Sequence, residues 1–257
     1  MFDELKNRVN RFWNDDKTLA ETDPEFVELF ANFAYGEVLH EPRANHPDLD
    51  DATRSIAILA AIIGCQGIDD YELMLPVALE SGVSPVQVKE IVYQAVAYLG
   101  FGRVLPFLKK TNEVFAARNI ALPLKPQSTT TPDTRLAAGE QAQIDIFGEH
   151  MRGFAQSGPE ETRHINTWLT ANCFGDYYTR GGLHYRQREM ITLCFLAAQG
   201  GCEPQLTSHA SANLNVGNEQ AFLIAVISQC MPYIGYPRTL NAIRCINEAA
   251  QAAAVKA

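Results

Sequence analysis

The sequence predicts an all-α protein in which one helical bundle occurs twice in tandem. Three observations carry this. The stretch from Pro123 to Pro132 holds three prolines and a Ser/Thr run, which cannot sustain a helix, and it divides the chain into nearly equal halves. Sliding the first half by 135 positions places like residues on one another in unbroken order: Leu79 on Leu214, Gly82 on Gly217, Gln94 on Gln229, Tyr98 on Tyr233, Gly100 on Gly235, Arg103 on Arg238 and Asn112 on Asn247. Apolar residues in the matched segments recur at helical spacing. The expected copies are residues 1–123 and 133–257.

In chain order, Phe2, Leu5, Val9 and Phe12 mark an amphipathic N-terminal helix. Phe33 to Glu37 resembles Asn172 to Asp176, after a longer gap than elsewhere. A helix from Asp51 to Ile63 starts at an acidic cap and carries Ile56, Leu59, Ala60 and Ile63; here Arg54 matches Arg188 and Leu59 matches Leu193. Ser84-Pro85-Val86-Gln87 is a capping-box signature with proline at the first helical position. The helix it launches carries Ile91, Val92, Ala95 and Leu99 and is expected to stop at Gly100 and Gly102, before a last helix with Leu105, Leu108 and Phe115. The second copy repeats the plan over 186–198, 205–214, 220–231 and 237–250. Phe222 to Ile227 is β-prone in isolation, but its counterpart behind the capping box favours helix.

Composition narrows the function. Apolar residues make up 47% of the chain and charged residues 20%, a balance that supports a sizeable core. A net charge of -9 repels phosphate backbones, so nucleic acid is not an expected partner. No run approaches the roughly 20 apolar residues of a membrane span, and the N-terminus lacks a secretory pattern, so a cytoplasmic protein with no membrane partner is expected. The six cysteines include no CxxC and no Cys/His grouping with structural-zinc spacing; free, mostly buried thiols and no metal are expected. Helices apolar on so many sides suggest self-association.

The stretches Arg188 to Leu193, Gly201 to His209, Asn213 to Gly217 and Tyr233 to Asn241 resemble the carboxymuconolactone decarboxylase family, as do Gly36-Glu37-Val38, Thr53-Arg54-Ser55 and Tyr98 to Phe101 in the first copy. The resemblance implies an all-α AhpD-like bundle, a ring assembly such as a trimer of tandem chains, and no cofactor. It implies either decarboxylases of aromatic catabolism or AhpD-like peroxidases with a CxxC pair. In the peroxidase pattern Glu189 fits a glutamate, Cys202 the first cysteine and His209 a histidine, but Gln205 stands where the second cysteine belongs. The decarboxylase pattern keeps the histidine without the CxxC. In the first copy Met74 stands at the histidine position and Ser55 at the glutamate position, so the second copy is expected to be the active one.

Cys202, Gln205 and His209 fall on one face of a helix. With Glu189 packed against that face, a carboxylate orients an imidazole, and the pair can move the proton that decarboxylation of a conjugated lactone requires. A small anionic substrate also needs a cation, for which Arg188, Arg180 and Arg238 are the candidates. The bland readings stay beside these. A helical histidine is often structural, Cys202 can be a small packing residue, and Cys173 to Arg180 can line a pocket or an interface. Three function classes follow: a carboxy-lyase, a thiol oxidoreductase working through Cys202, and a non-catalytic oligomeric scaffold.

Overall fold

The computed structural model describes residues 17–256. Among the described residues there are twelve α-helices and no strand. The first copy comprises α1 (Lys17–Thr22), α2 (Pro24–Ala31) running into a π-helical segment (Asn32–Val38), α3 (Asp51–Cys65), α4 (Ile68–Glu80), α5 (Pro85–Leu99) and α6 (Phe101–Ala117). After the linker come α7 (Arg135–Phe147), α8 (Arg163–Trp168) running into a second π-helical segment (Leu169–Tyr178), α9 (Tyr185–Gln199), α10 (Glu203–Asn215), α11 (Gln220–Ile234) and α12 (Tyr236–Lys256). From α2 and α8 onward the two copies share one element order, including the passage from α into π geometry. The weak match of Phe33–Glu37 with Asn172–Asp176 falls inside the two π segments.

The local chemistry accounts for the boundaries. Ser84 and Gln87 form a reciprocal capping box, with Ser84 Oγ accepting from Gln87 N at 3.2 Å and Gln87 Oε1 accepting from Ser84 N at 2.9 Å. Asp50, one residue before the expected cap, accepts from Thr53 N at 2.7 Å and starts α3. Gly100 alone separates α5 from α6, at φ +82°, whereas Gly102 lies inside α6 and ends nothing. Phe222 to Ile227 lies within α11, because every side chain there has a helical neighbour to pack on. The last helix runs six residues past its expected end. The sequence expectations include none of α1, α2, α4, α7, α8 or the two π segments. The proposed N-terminal helix around Phe2 to Phe12 lies outside the described residues.

The copies do not form separate cores. One continuous apolar cluster joins Ile56, Leu59 and Ile63 of α3 to Ile191, Phe195 and Ala198 of α9 and on to Val226 of α11. The central contact is α3 on α9. Gly64 sits so close to its own counterpart that a methyl group there would come within 2.7 Å of Ala198 Cβ and 2.9 Å of Phe195 O. A local pseudo-two-fold relation therefore runs through this crossing. Helix α5 of the first copy lies on α9 of the second, and that placement builds the site.

Candidate active site

Helices α9 and α10 bring Glu189 and His209 together, with His209 Nδ1 and Glu189 Oε2 2.7 Å apart. Glu189 is fully buried and His209 is 9% exposed. Asn213, one turn beyond His209, fastens the two helices: its Nδ2 donates to Glu189 O at 2.9 Å and to His209 O at 2.8 Å. Its Oδ1 accepts from Asn218 at 2.7 Å. The imidazole is held edge-on by two rings, Tyr98 and Phe147, each with its centroid 5.4 Å away. Nδ1 is turned to the carboxylate, which leaves Nε2 with no protein partner among the described residues. Glu189 Oε1 also has no protein partner.

His209 borders a cavity of about 680 Å³ that also reaches Tyr98, Phe147, Phe154, Phe174, Cys202 and Gln205. The walls come from both copies. Tyr98, on α5 of the first copy, bonds Tyr178 Oη at 2.8 Å, and Tyr178 bonds Thr192 Oγ1 at 2.8 Å. Thr192 in turn accepts from Gln94 Nε2 at 2.9 Å. This buried chain anchors Tyr98, the member of it that lines the cavity. Burial, with Cys173 and Glu189 nearby, holds the Tyr98 phenol well above its usual range, so it stays protonated. The π segment reaches the cavity because α7 crosses it at two glycines: a methyl on Gly139 would fall 1.9 Å from Thr170 O, and one on Gly175 2.1 Å from Arg135 O. That close crossing brings Phe147 and Phe174 to the same wall, 5.7 Å apart.

The thiols near the site are not activated. Cys202 stands at the N-cap position of α10 without a side-chain capping bond, its Sγ donates to Leu196 O at 3.4 Å, and burial pushes its thiol up. Cys173 is pushed up to about 12 by burial first. All six cysteines are free.

The three arginines go elsewhere. Arg188 is fully buried: it donates to Gln94 Oε1 at 2.8 Å, to Glu90 Oε2 at 3.1 Å and to Arg180 O at 2.7 Å. It faces α5, whereas Glu189 faces α10, and it ties the copies together. Arg180 is forked onto Glu90 at 2.9–3.0 Å. Neither borders the His209 cavity. Arg238 donates to Ala198 O and lines a smaller cavity of about 320 Å³ that shares Gln199, Gly201 and Cys202 with the larger one. Among the described residues no group of three His, Cys, Asp or Glu is placed to hold a metal ion.

The model of the carboxymuconolactone decarboxylase family matches residues 24–113 and 164–248. The chain belongs to that family. One matched stretch lies on each side of the linker and α7. A crystal structure described as a "putative gamma-carboxymuconolactone decarboxylase subunit", from Burkholderia xenovorans LB400, is similar over 98% of both chains, with a TM-score of 0.51 and 17% identity. At that identity the likeness speaks to the fold. No curated protein matches the chain. Within the carboxymuconolactone decarboxylase fold, sequence reasoning missed Tyr98, Phe147 and Asn213 as parts of the site. Tyr98 was visible as a match to Tyr233 and Asn213 as part of a motif, but nothing in either signal says that Tyr98 crosses to the other copy's histidine. Among the described residues no helix is long and apolar enough to cross a membrane.

Proposed function

We propose that the second copy is a cofactor-free carboxy-lyase site acting on a small carboxylated lactone or a similar conjugated anion. The observation that carries this is the Glu189–His209 pair, closed at 2.7 Å, with the carboxylate buried behind the imidazole and His209 on the wall of a cavity large enough for such a molecule. In the proposed step the substrate C–COO⁻ bond breaks and CO2 leaves. The electron pair spreads onto the conjugated carbonyl, and protonated His209 gives its Nε2 proton to the carbon of the resulting enolate. Glu189 stabilises the imidazolium through Nδ1, and water returns the proton. Tyr98 and Phe147 keep the ring from swinging out of this geometry. Arg238, reached through the adjoining smaller cavity, is the arginine best placed to meet a substrate carboxylate; Arg188 and Arg180 serve the contact between copies.

The thiol reading draws less support, since Gln205 replaces the second cysteine and burial keeps Cys202 protonated. The test is CO2 release from carboxymuconolactone and related carboxylated lactones by purified protein and its His209→Ala variant. Release by the first and not the second supports the reading. Equal rates, or peroxide consumption dependent on Cys202 without CO2 release, would overturn it.

The same reading includes a homo-oligomer, a trimer of tandem chains. Its support is a repeated apolar surface. Phe26 and Leu29 on α2 are each 64% exposed, and their counterparts Ile165 and Trp168 on α8 are 50% and 59% exposed. Phe101 and its counterpart Tyr236 are exposed alike. Two copies that leave the same apolar positions uncovered present a surface that a ring would cover twice per chain. Light scattering should give three times the 28.4 kDa chain mass, and a stable monomer at micromolar concentration would rule the assembly out.

A further inference from the structure

A second cavity, of about 390 Å³, lies beneath the linker and borders none of the residues that line the His209 cavity. Helix α5 supplies Val86, Lys89, Glu90 and Tyr93, the linker supplies residues 122–127, and Arg180 closes it from the second copy. The linker is pinned there: Gln127 O accepts from Gly181 N at 2.9 Å. The second copy has no equivalent, since Ile224 and Ala225 stand where Lys89 and Glu90 stand in the first.

Lys89 is the anomaly. It is 6% exposed, yet among the described residues no carboxylate pairs with it. Its ammonium donates to Asn112 Oδ1 and lies 5.7 Å from the Phe115 ring centroid and 6.0 Å from that of Tyr93. Burial lowers its tendency to hold the proton. A buried ammonium with one neutral acceptor is costly, and an anion beside it would offset that cost. The surroundings are already positive. Lys89, Lys125 and Arg180 line the cavity against one carboxylate, Glu90, and Glu90 is shared between Arg180 and Arg188. This concentration of positive charge sits in a chain whose net charge is -9. Val86, Tyr93, Leu122 and Leu124 supply apolar wall, with Asn112 and Gln127 the neutral polar groups beside it. A strongly hydrated inorganic anion would leave those walls unused.

We propose that this cavity binds a small organic carboxylate, its charged end on Lys89 and its apolar body between Tyr93 and the linker leucines. Binding here is independent of the reaction assigned to His209.

Benzoate is the probe, measured by isothermal titration on the full chain, with inorganic phosphate as the control anion. Wild type should bind one Lys89-dependent benzoate per chain, and His209→Ala should bind it with the same affinity. Lys89→Met should weaken it about tenfold or more, the range of a lost charge-assisted hydrogen bond. Lys125→Ala, an exposed linker change that carries the test if Lys89→Met fails to fold, should weaken it by about threefold. No binding at millimolar benzoate, equal affinity in both lysine variants, loss of binding in His209→Ala, or a preference for phosphate over benzoate would each overturn the proposal.

Discussion

The two copies offer a comparison inside one chain. Around His209 the second copy has Glu189, Asn213, Thr192 and Tyr178; the matching residues around Met74 are Ser55, Ala78, Ile58 and Leu39. Each polar group that positions the imidazole has an apolar or hydroxyl replacement. Ser55 Oγ turns back to donate to Asp51 O at 2.7 Å. Tyr233, the counterpart of Tyr98, crosses to the first copy and bonds Tyr35 Oη at 3.1 Å, and both hydroxyls approach Met74 Sδ at 3.8–3.9 Å. The crossing tyrosine is therefore a property of the fold, while the carboxylate–imidazole pair belongs to one copy. Five positions thus differ in polarity between two copies that keep one element order.

The sharpest way to break this comparison is to make the second copy like the first. His209→Ala should lower turnover on an accepted substrate by about 10²–10⁴-fold, the range of general acid–base catalysis. Circular dichroism should show the fold retained. A variant with wild-type turnover would mean the pair has no catalytic part.

The arginine pair gives the next effect. Arg188 and Arg54 are counterparts and both are buried, but Arg188 reaches across copies to Glu90 while Arg54 pairs locally with Asp51 at 2.6 Å. Arg188→Met should cost about 3–5 kcal/mol in urea unfolding, as for a broken buried ion pair. Arg54→Met should cost less, about 1.5–3 kcal/mol, since Asp51 keeps access to solvent. Equal losses would show that the link between copies adds nothing beyond local packing.

Met74→Ala should cost about 2–5 kcal/mol of stability, because the side chain is 5% exposed between two tyrosines. Turnover per folded molecule should stay within about twofold of wild type, measured after correcting for the folded fraction. A loss of turnover as large as that of His209→Ala would show that the first copy holds a working site.

The smallest expected effect is at Cys202. Cys202→Ser should leave decarboxylation within about twofold, since the half-buried thiol stays protonated, which removes its nucleophilicity, and its hydrogen is directed at Leu196 O rather than into the cavity. Loss of all activity would put the thiol reading ahead of the carboxy-lyase reading.

Much of this was legible from residues in order along the chain. The duplication, the capping box at Ser84 and the break at Gly100 are local or periodic facts, whereas the reading that Met74 and Ser55 stand at the histidine and glutamate positions comes from the family resemblance. A helix's apolar spacing and its caps act within a few residues, so they can be read without knowing the neighbours. The placement of Glu189 and His209 on consecutive helices was also open to reading, because the family motifs mark both. What only the tertiary structure decided was which partners cross between copies. Arg188 looked like a substrate cation from its place beside Glu189, but adjacent residues on a helix point about 100° apart, so one faces the cavity side and the other the contact with α5. Tyr98, Gln94 and Glu90 form one face of α5, and nothing in their spacing says which copy that face meets. That choice rests on the crossing of α3 and α9 at Gly64, a contact between residues far apart in sequence. A sum of many weak contacts sets such a crossing, and no single residue announces it.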